Sequence, residues 1–359
     1  MSLAAITRNS DRRIRVMVVE ESAVVRGLTR RWLEAEDGIE IARICADGDQ
    51  AVRDISCCQP DVVLLDIEMP RHDGLSTLPL LRQAAPGARI IMASTLTGPG
   101  ASATVRALQL GAADCIVKPC ATIPAAIDDY RRDLIAKITA LGPARLASIP
   151  ARRRPLALRS PPQTRVKPSA LVVAASTGGP QALQAFLSPI ARRISAPILI
   201  VQHLPATFMP IFAGRLGEAL GKPCRLARDG EDLVSGCVLI APGDQPMRVA
   251  RSGAGMVVQL DRGDPANCRR PAADPLFESA AAAFGSRLLA VVLTGMGQDG
   301  KRGCATVVAA GGRVAVQDEA SSVVWGMPGS VALAGYAEAV RPLAELSSLT
   351  LNLMNGDAA

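Results

Sequence analysis

The sequence predicts an α/β protein built from two parallel sheets in tandem, the first doubly wound and the second mainly parallel with an inserted hairpin. Three observations carry the prediction. Short apolar runs alternate with helix-period segments in both halves. A stretch rich in Pro and Arg separates the halves. The length, 359 residues with 49% hydrophobic composition, is enough to bury two cores of ordinary domain size.

In the first half, strands are expected at VMVV, IEIARIC, DVVLLD, ARIIMAS and DCIVKP. The helix after Glu21 takes Ser22 as its cap and repeats Val25, Leu28, Trp32 and Leu33 on one face. A last helix is expected over 123–141. In a doubly wound sheet the strand C-termini converge on one edge, and here they carry Glu20, Glu21, Asp66, Ser94 and Lys118. Any one acid alone reads best as a helix cap. Together, three carboxylates can hold a hard divalent cation with Mg²⁺ the natural candidate, Asp66 can accept a phosphoryl group, and Ser94 and Lys118 can bind its oxygens.

The segment 142–169 carries seven Lys and Arg and no Asp or Glu, and so accounts for the whole formal charge of +7. Its prolines disfavour helix and central strand, and it is read as a semi-extended linker. With only 3% aromatics and no recognition-helix or RNA-binding signature, the charge does not point to nucleic acid. No apolar run approaches the roughly eighteen residues that span a bilayer, and the first residues lack a signal-peptide core, so a cytoplasmic protein without membrane insertion is expected. Nine cysteines with no C-x-x-C spacing read as reduced, mostly buried residues.

The second half is organised around LVVAASTGGPQAL, residues 171–183, where a buried run stops at Ser176 and turns through Gly178 and Gly179 into a helix over 180–191. On pattern alone S-T-G-G reads first as a phosphate-cradling or merely tight turn, and a nucleophilic serine needs partners. The strand APILIVQHL ends in His203, and the other histidine, His72, lies in the first half. A helix over 207–220 follows, then short strands at VLIAP, MRVAR and MVVQL. Next come a helix near 275–284, the strand LLAVVLTG, a helix after Gly300, the strand GRVAVQD and one or two closing helices. Asp299 follows LLAVVLTG at another strand end and is the expected third member. Asp229, Asp244, Asp318 and Glu319 are its rivals, and its simpler role is to cap the next helix.

The motifs VVEES, LLDIEMPRHDGL, IMASTLT and GAADCIVKP make residues 14–141 resemble a flavodoxin-like response-regulator receiver domain. Residues 170–354 resemble the catalytic domain of the chemotaxis protein-glutamate methylesterases, the CheB family, through ASTGGP, QHLP, CRRP with DPLF, LTGMGQDG and QDEASSVVWGMPGS. Receiver then esterase is also that family's domain order. The resemblance implies that a CheA-type sensor histidine kinase phosphorylates Asp66. It implies Mg²⁺ on Glu21, Asp66 and the Glu68 carbonyl, with Glu20 acting through water, and phosphoryl sensing by Ser94 and Lys118. For the esterase it implies Ser176 as nucleophile, His203 as general base and acid, Asp299 as orienting carboxylate, and the N–H groups of Thr177 and Met296 as oxyanion hole. Arg270, Trp325 and Met327 would lie near the cleft. The expected substrate is a methylated glutamate on the cytoplasmic helices of chemoreceptors, with deamidation of selected glutamines as a second activity and no cofactor for either. Receiver phosphorylation would control the esterase; a non-catalytic receptor-binding scaffold is the alternative. Three positions depart from the family pattern: the acid pair is Glu-Glu, Cys115 stands where an aromatic switch is usual, and Gln245-Pro246-Met247 replaces a loop that commonly carries a histidine.

Overall fold

The computed structural model describes residues 12–69, 72–95, 98–119, 124–142, 156–160, 166–253, 255–261 and 272–357. The chain divides into two units, residues 1–154 and 155–359.

The first unit runs β1 (Ile14–Val19), α1 (Ala23–Glu34), β2 (Ile39–Cys45), α2 (Gly48–Cys58), β3 (Val62–Asp66), α3 (Gly74–Ala84), β4 (Arg89–Ser94), α4 (Gly98–Gln109), β5 (Asp114–Val117) and α5 (Pro124–Leu141). The five strands pair in parallel, as the alternation predicts, in the order β2-β1-β3-β4-β5, the flavodoxin-like order that the receiver resemblance implies. β3 is buried along its whole length, as a central strand covered on both faces must be. Ser22 caps α1, its hydroxyl accepting from the Val25 N–H at 3.4 Å. Gly74 opens α3 because a Cβ there would come within 2.1 Å of the Asp66 carbonyl oxygen. α5 is held to β5 by an ion pair with little exposure, Lys137 Nζ to Asp114 Oδ2 at 2.7 Å.

The second unit runs β6 (Ala170–Ala175), α6 (Gly179–Leu187), β7 (Ile198–Gln202), α7 (Met209–Leu220), β8 (Cys224–Leu226), β9 (Val238–Ile240), β10 (Met247–Ser252), β11 (Gly255–Leu260), α8 (Ala273–Phe284), β12 (Leu288–Val292), α9 (Lys301–Ala309), β13 (Arg313–Gln317), α10 (Gly326–Leu333), β14 (Ala339–Arg341) and α11 (Leu343–Asn355). Seven strands form one parallel sheet ordered β14-β13-β12-β6-β7-β9-β8, and β10 pairs with β11 as a separate antiparallel hairpin. The aliphatic runs of β6, β7 and β12 are buried at every residue and make the middle of the sheet. Their side chains pack with Phe277 and Leu276 of α8 and Val249 of the hairpin into one core.

Three differences from the sequence reading have local causes. The helix expected to reach residue 191 ends at Leu187, because Pro189 cannot continue it, and a 3₁₀ turn follows at Ala191–Arg193. β8 and β14, three residues each, are too short to show a period. Within the Pro/Arg-rich segment, Arg159 lies along the second unit, its N–H donating to Ala337 O and its guanidinium to Gly312 O, both at 3.0 Å.

Breaking a buried ion pair strands a charge at a typical cost of about 3–5 kcal/mol. Lys137→Met is therefore expected to lower the stability of the first unit by about that amount. Denaturant unfolding followed by Trp32, which packs on Tyr130 of α5 at 6.0 Å, measures it in a Trp325→Phe background.

Candidate active site

In the second unit the sheet register brings the nucleophile and base candidates together. Ala175 pairs with Gln202 on the last rung between β6 and β7, so Ser176 and His203 emerge side by side. The His203 N–H donates to Ala175 O at 3.1 Å. Asp299 arrives from the loop after β12, the strand on the other side of β6. Its Oδ2 lies 2.8 Å from His203 Nε2. Asp299 thus engages Nε2, and Nδ1 is the imidazole's other nitrogen.

Asp299 is also tied to the backbone. Oδ2 accepts from the Ala273 N–H at 2.7 Å, and Oδ1 accepts from Asp274 at 3.2 Å and Gly300 at 2.9 Å. It thus caps the N-terminus of α8 as well as the turn into α9, and the simpler role weighed for it coexists with holding the imidazole. Burial opposes its ionisation, but the His203 and backbone hydrogen bonds outweigh burial and hold the carboxyl below its usual range. Two rivals are occupied in turns: Asp229 Oδ1 accepts from Leu260 N–H at 2.9 Å, and Asp318 Oδ1 from Ser321 N–H at 3.1 Å.

Ser176 sits at the entrance to α6, whose N-cap is Gly178 in the left-handed region, φ 76°. The turn is closed by the Gly179 N–H, which donates to Ser176 O at 2.7 Å, and Pro180 follows in the first turn of α6. From the opposite side, a Cβ on Gly295 would come within 2.8 Å of Ser176 Cβ, so only glycine lets the chain carrying Met296 approach this closely. Thr294 locks the two turns together: its hydroxyl donates to Thr177 O at 3.0 Å and accepts from Val324 N–H at 3.0 Å.

In the first unit the acids and the lysine expected at the strand edge do meet. Lys118 Nζ lies 2.6 Å from Asp66 Oδ2 and 2.8 Å from Glu20 Oε2. The ammonium is an ion-pair partner for Asp66 Oδ2 without the alignment of a hydrogen bond, and among the described residues that buried oxygen has no other partner. The Glu68 N–H donates to Asp66 Oδ1 at 3.1 Å. Burial pushes Asp66 up to about 6, Lys118 pulling it down and Glu20 adding to the rise. Ser94 is fully buried at the end of β4, with its hydroxyl donating to Thr95 O at 2.9 Å.

A CheB methylesterase family model matches residues 171–349, and a response regulator receiver domain model matches residues 16–126. The protein-glutamate methylesterase/protein-glutamine glutaminase 2 of Caulobacter vibrioides is 49% identical over 338 residues, 93% of this chain and 96% of the relative. The chain belongs to the CheB methylesterase family. A relative of the same description from Nitrobacter hamburgensis is 45% identical over 99% of this chain and 98% of its own length. The solved Thermotoga maritima CheB methylesterase catalytic domain is 37% identical and covers 51% of this chain and 100% of that one, with a TM-score of 0.48.

Several expectations for this CheB-family chain need correction or lie elsewhere. Met327 does not present itself to a cleft: it is fully buried, with its sulfur against Gly295 behind the serine. Trp325 is half-buried, its indole N–H donating to Gln317 O at 2.9 Å. Arg270 lies outside the described residues. Of the expected cation ligands, Glu20 and Asp66 meet at Lys118, and Glu21 is exposed. Arg26 holds the acid pair's backbone instead, donating to Glu20 O at 2.8 Å and Glu21 O at 2.6 Å. Among the described residues no three His, Cys, Asp or Glu side chains gather as metal ligands. Two carboxylates still fit Mg²⁺, which keeps several waters and commonly takes only one or two from protein; two acids enclosed around one ammonium are the feature a hard cation would satisfy. Cys115 is buried, and burial raises its thiol pKa. Sequence reasoning missed Gln202, Thr294 and Gln317, which touch the site only through backbone; a polar residue inside an otherwise aliphatic strand end was the available signal.

The raised Asp66 pKa has a definite sign in stability. Between about pH 4 and 6 the folded first unit holds a proton that the unfolded chain has released, so stability falls as pH rises through that window. The unfolding free energy of the wild type is therefore expected to drop relative to Asp66→Asn from pH 4.5 to pH 7, by on the order of 2 kcal/mol. Added Mg²⁺ should remove most of the difference at pH 7, with denaturation curves at the two pH values as the measurement.

Proposed function

We propose that this chain hydrolyses glutamate methyl esters on the cytoplasmic helices of chemoreceptors, releasing methanol, and deamidates selected receptor glutamines. The observation that carries the reading is the 2.8 Å His203–Asp299 pair one rung from Ser176. The curated relatives' name, protein-glutamate methylesterase/protein-glutamine glutaminase, supplies the substrate class.

In this mechanism Ser176 Oγ attacks the ester carbonyl carbon while its proton passes to His203 Nδ1. Asp299, ionised across the neutral range, stabilises the imidazolium and holds the ring in place. The tetrahedral oxyanion rests on the N–H groups of Thr177 and Met296, aided by the positive end of α6. Methanol leaves with the proton from His203, or ammonia when the substrate is glutamine. Water, deprotonated by the same imidazole, then cleaves the acyl-serine to free carboxylate and Ser176.

Regulation belongs to the first unit. A CheA-type sensor kinase phosphorylates Asp66, and the phosphorylated receiver raises esterase activity. Glu20, Asp66 and the Glu68 carbonyl would hold Mg²⁺, which when bound neutralises charge on the transferring phosphoryl group. Lys118 and Ser94 contact the phosphoryl oxygens. The domains of this reading are a receiver over 14–141, a linker over 142–169 and an esterase over 170–354, working in the cytoplasm. No described helix is long and apolar enough to cross a membrane.

Methanol release from methylated receptor by the full chain tests the reading. Ser176→Ala should reduce kcat by about 10⁴-fold or more. Equal receptor-dependent function in wild type and Ser176→Ala would instead favour the scaffold.

A further inference from the structure

We propose that Gln202 is a positioning residue that sets the separation of nucleophile and base, an inference that rests on the roles given above to Ser176 and His203. Gln202 closes β7 opposite Ala175 and has no exposed surface. One residue later both strands leave the ladder. The Gln202 amide nitrogen donates to the backbone carbonyls of both departing residues, to Ser176 O at 3.0 Å and to His203 O at 3.2 Å. A carboxamide nitrogen carries two hydrogens at a fixed planar angle, so the pair of bonds clamps the two backbones at one spacing. Ser176 O also accepts from Gly179 N–H at 2.7 Å, which ties the clamp to the first turn of α6.

The other half of the amide supports the assignment. Among the described residues the buried Gln202 Oε1 has no hydrogen-bond partner. It lies against Gly179, where a Cβ would be only 2.0 Å away. Turning the amide over would place Oε1 against two carbonyl oxygens and aim both N–H groups at Gly179, so the donor orientation is dictated by its neighbours. An apolar side chain of the same length would fill this space with no orphaned oxygen. What the amide adds is the bridge between the two carbonyls.

The test uses the full chain and the variant Gln202→Met, which keeps length and loses both donors. With methylated receptor, kcat is expected to fall about a hundredfold at unchanged KM, since a displacement of about 1 Å between reacting groups has that effect. The chain has two histidines, His72 and His203, so ¹⁵N-histidine labelling isolates the base by NMR. The His203 ring signals should shift in Gln202→Met while those of His72 stay. An unshifted His203 or an unchanged kcat overturns the proposal. The spectrum needs no turnover, so absence of methanol release by the wild type would defeat the esterase reading separately.

Ser347→Ala serves as the structural control, because it removes a buried donor to Phe186 O, 2.8 Å away, in the same unit. It should leave kcat and the His203 signals in place; effects equal to those of Gln202→Met would make the role merely structural. Should Gln202→Met fail to fold, Gln202→Glu decides. Its carboxyl keeps one donor when protonated and none when ionised, so the ratio of its activity to the wild type's should fall as pH rises. A profile parallel to the wild type would overturn the proposal.

Discussion

The parallel register of β6 with β7 and β12 is the constraint on which the esterase site depends. Parallel pairing sends all three strands out of the sheet at the same edge, and β6 continues to β7 on one side while β12 flanks it on the other. A crevice at such a switch point receives three chain segments of distant origin. Ser176, His203 and the loop to Asp299 are those segments. A slip of one residue in either pairing would turn the catalytic side chains to the wrong face of the sheet.

Asp299 joins two tasks that are often divided. Its oxygens take up backbone donors at the start of α8 and at Gly300, and one of the same oxygens meets the imidazole. The hydrogen bonds that satisfy a helix end also offset the cost of burying the carboxylate, so its charge persists where the imidazolium needs it. Fixing α8 in this way couples the helix to the triad: the element that fills the core behind the sheet also fixes the carboxylate at its edge.

The receiver unit solves the opposite electrostatic problem. Asp66 is completely enclosed beside a second acid, Glu20, and a single ammonium, Lys118, sits between them. The balance leaves the acceptor carboxyl less acidic than usual and one of its oxygens short of a hydrogen bond. Such a cluster has capacity for added positive charge, which is what a divalent cation supplies to an incoming phosphoryl group. Glu21, at the turn into α1, is exposed.

Much of this was legible before any coordinates. The βα alternation specified parallel sheets because a strand buried on both faces reads as an unbroken aliphatic run, and such runs end where chemistry can begin. Ser176, His203, Glu20, Asp66 and Lys118 stand at those ends, whereas Asp299 lies in the loop between β12 and α9. Three-residue strands such as β8 and β14 carry no period to detect, and Pro189 shortens α6 by a local rule. The chain by itself thus determined which residues stand at the sheet edges, because strand length and hydrophobic pattern are local properties. Only the tertiary structure decided that Nε2 of His203 faces Asp299, that Met327 is buried, that Glu20 rather than Glu21 faces Lys118, and that Gln202 spans two carbonyls. Each of these depends on side-chain direction and on backbone groups brought together from far along the chain, and no linear spacing encodes either.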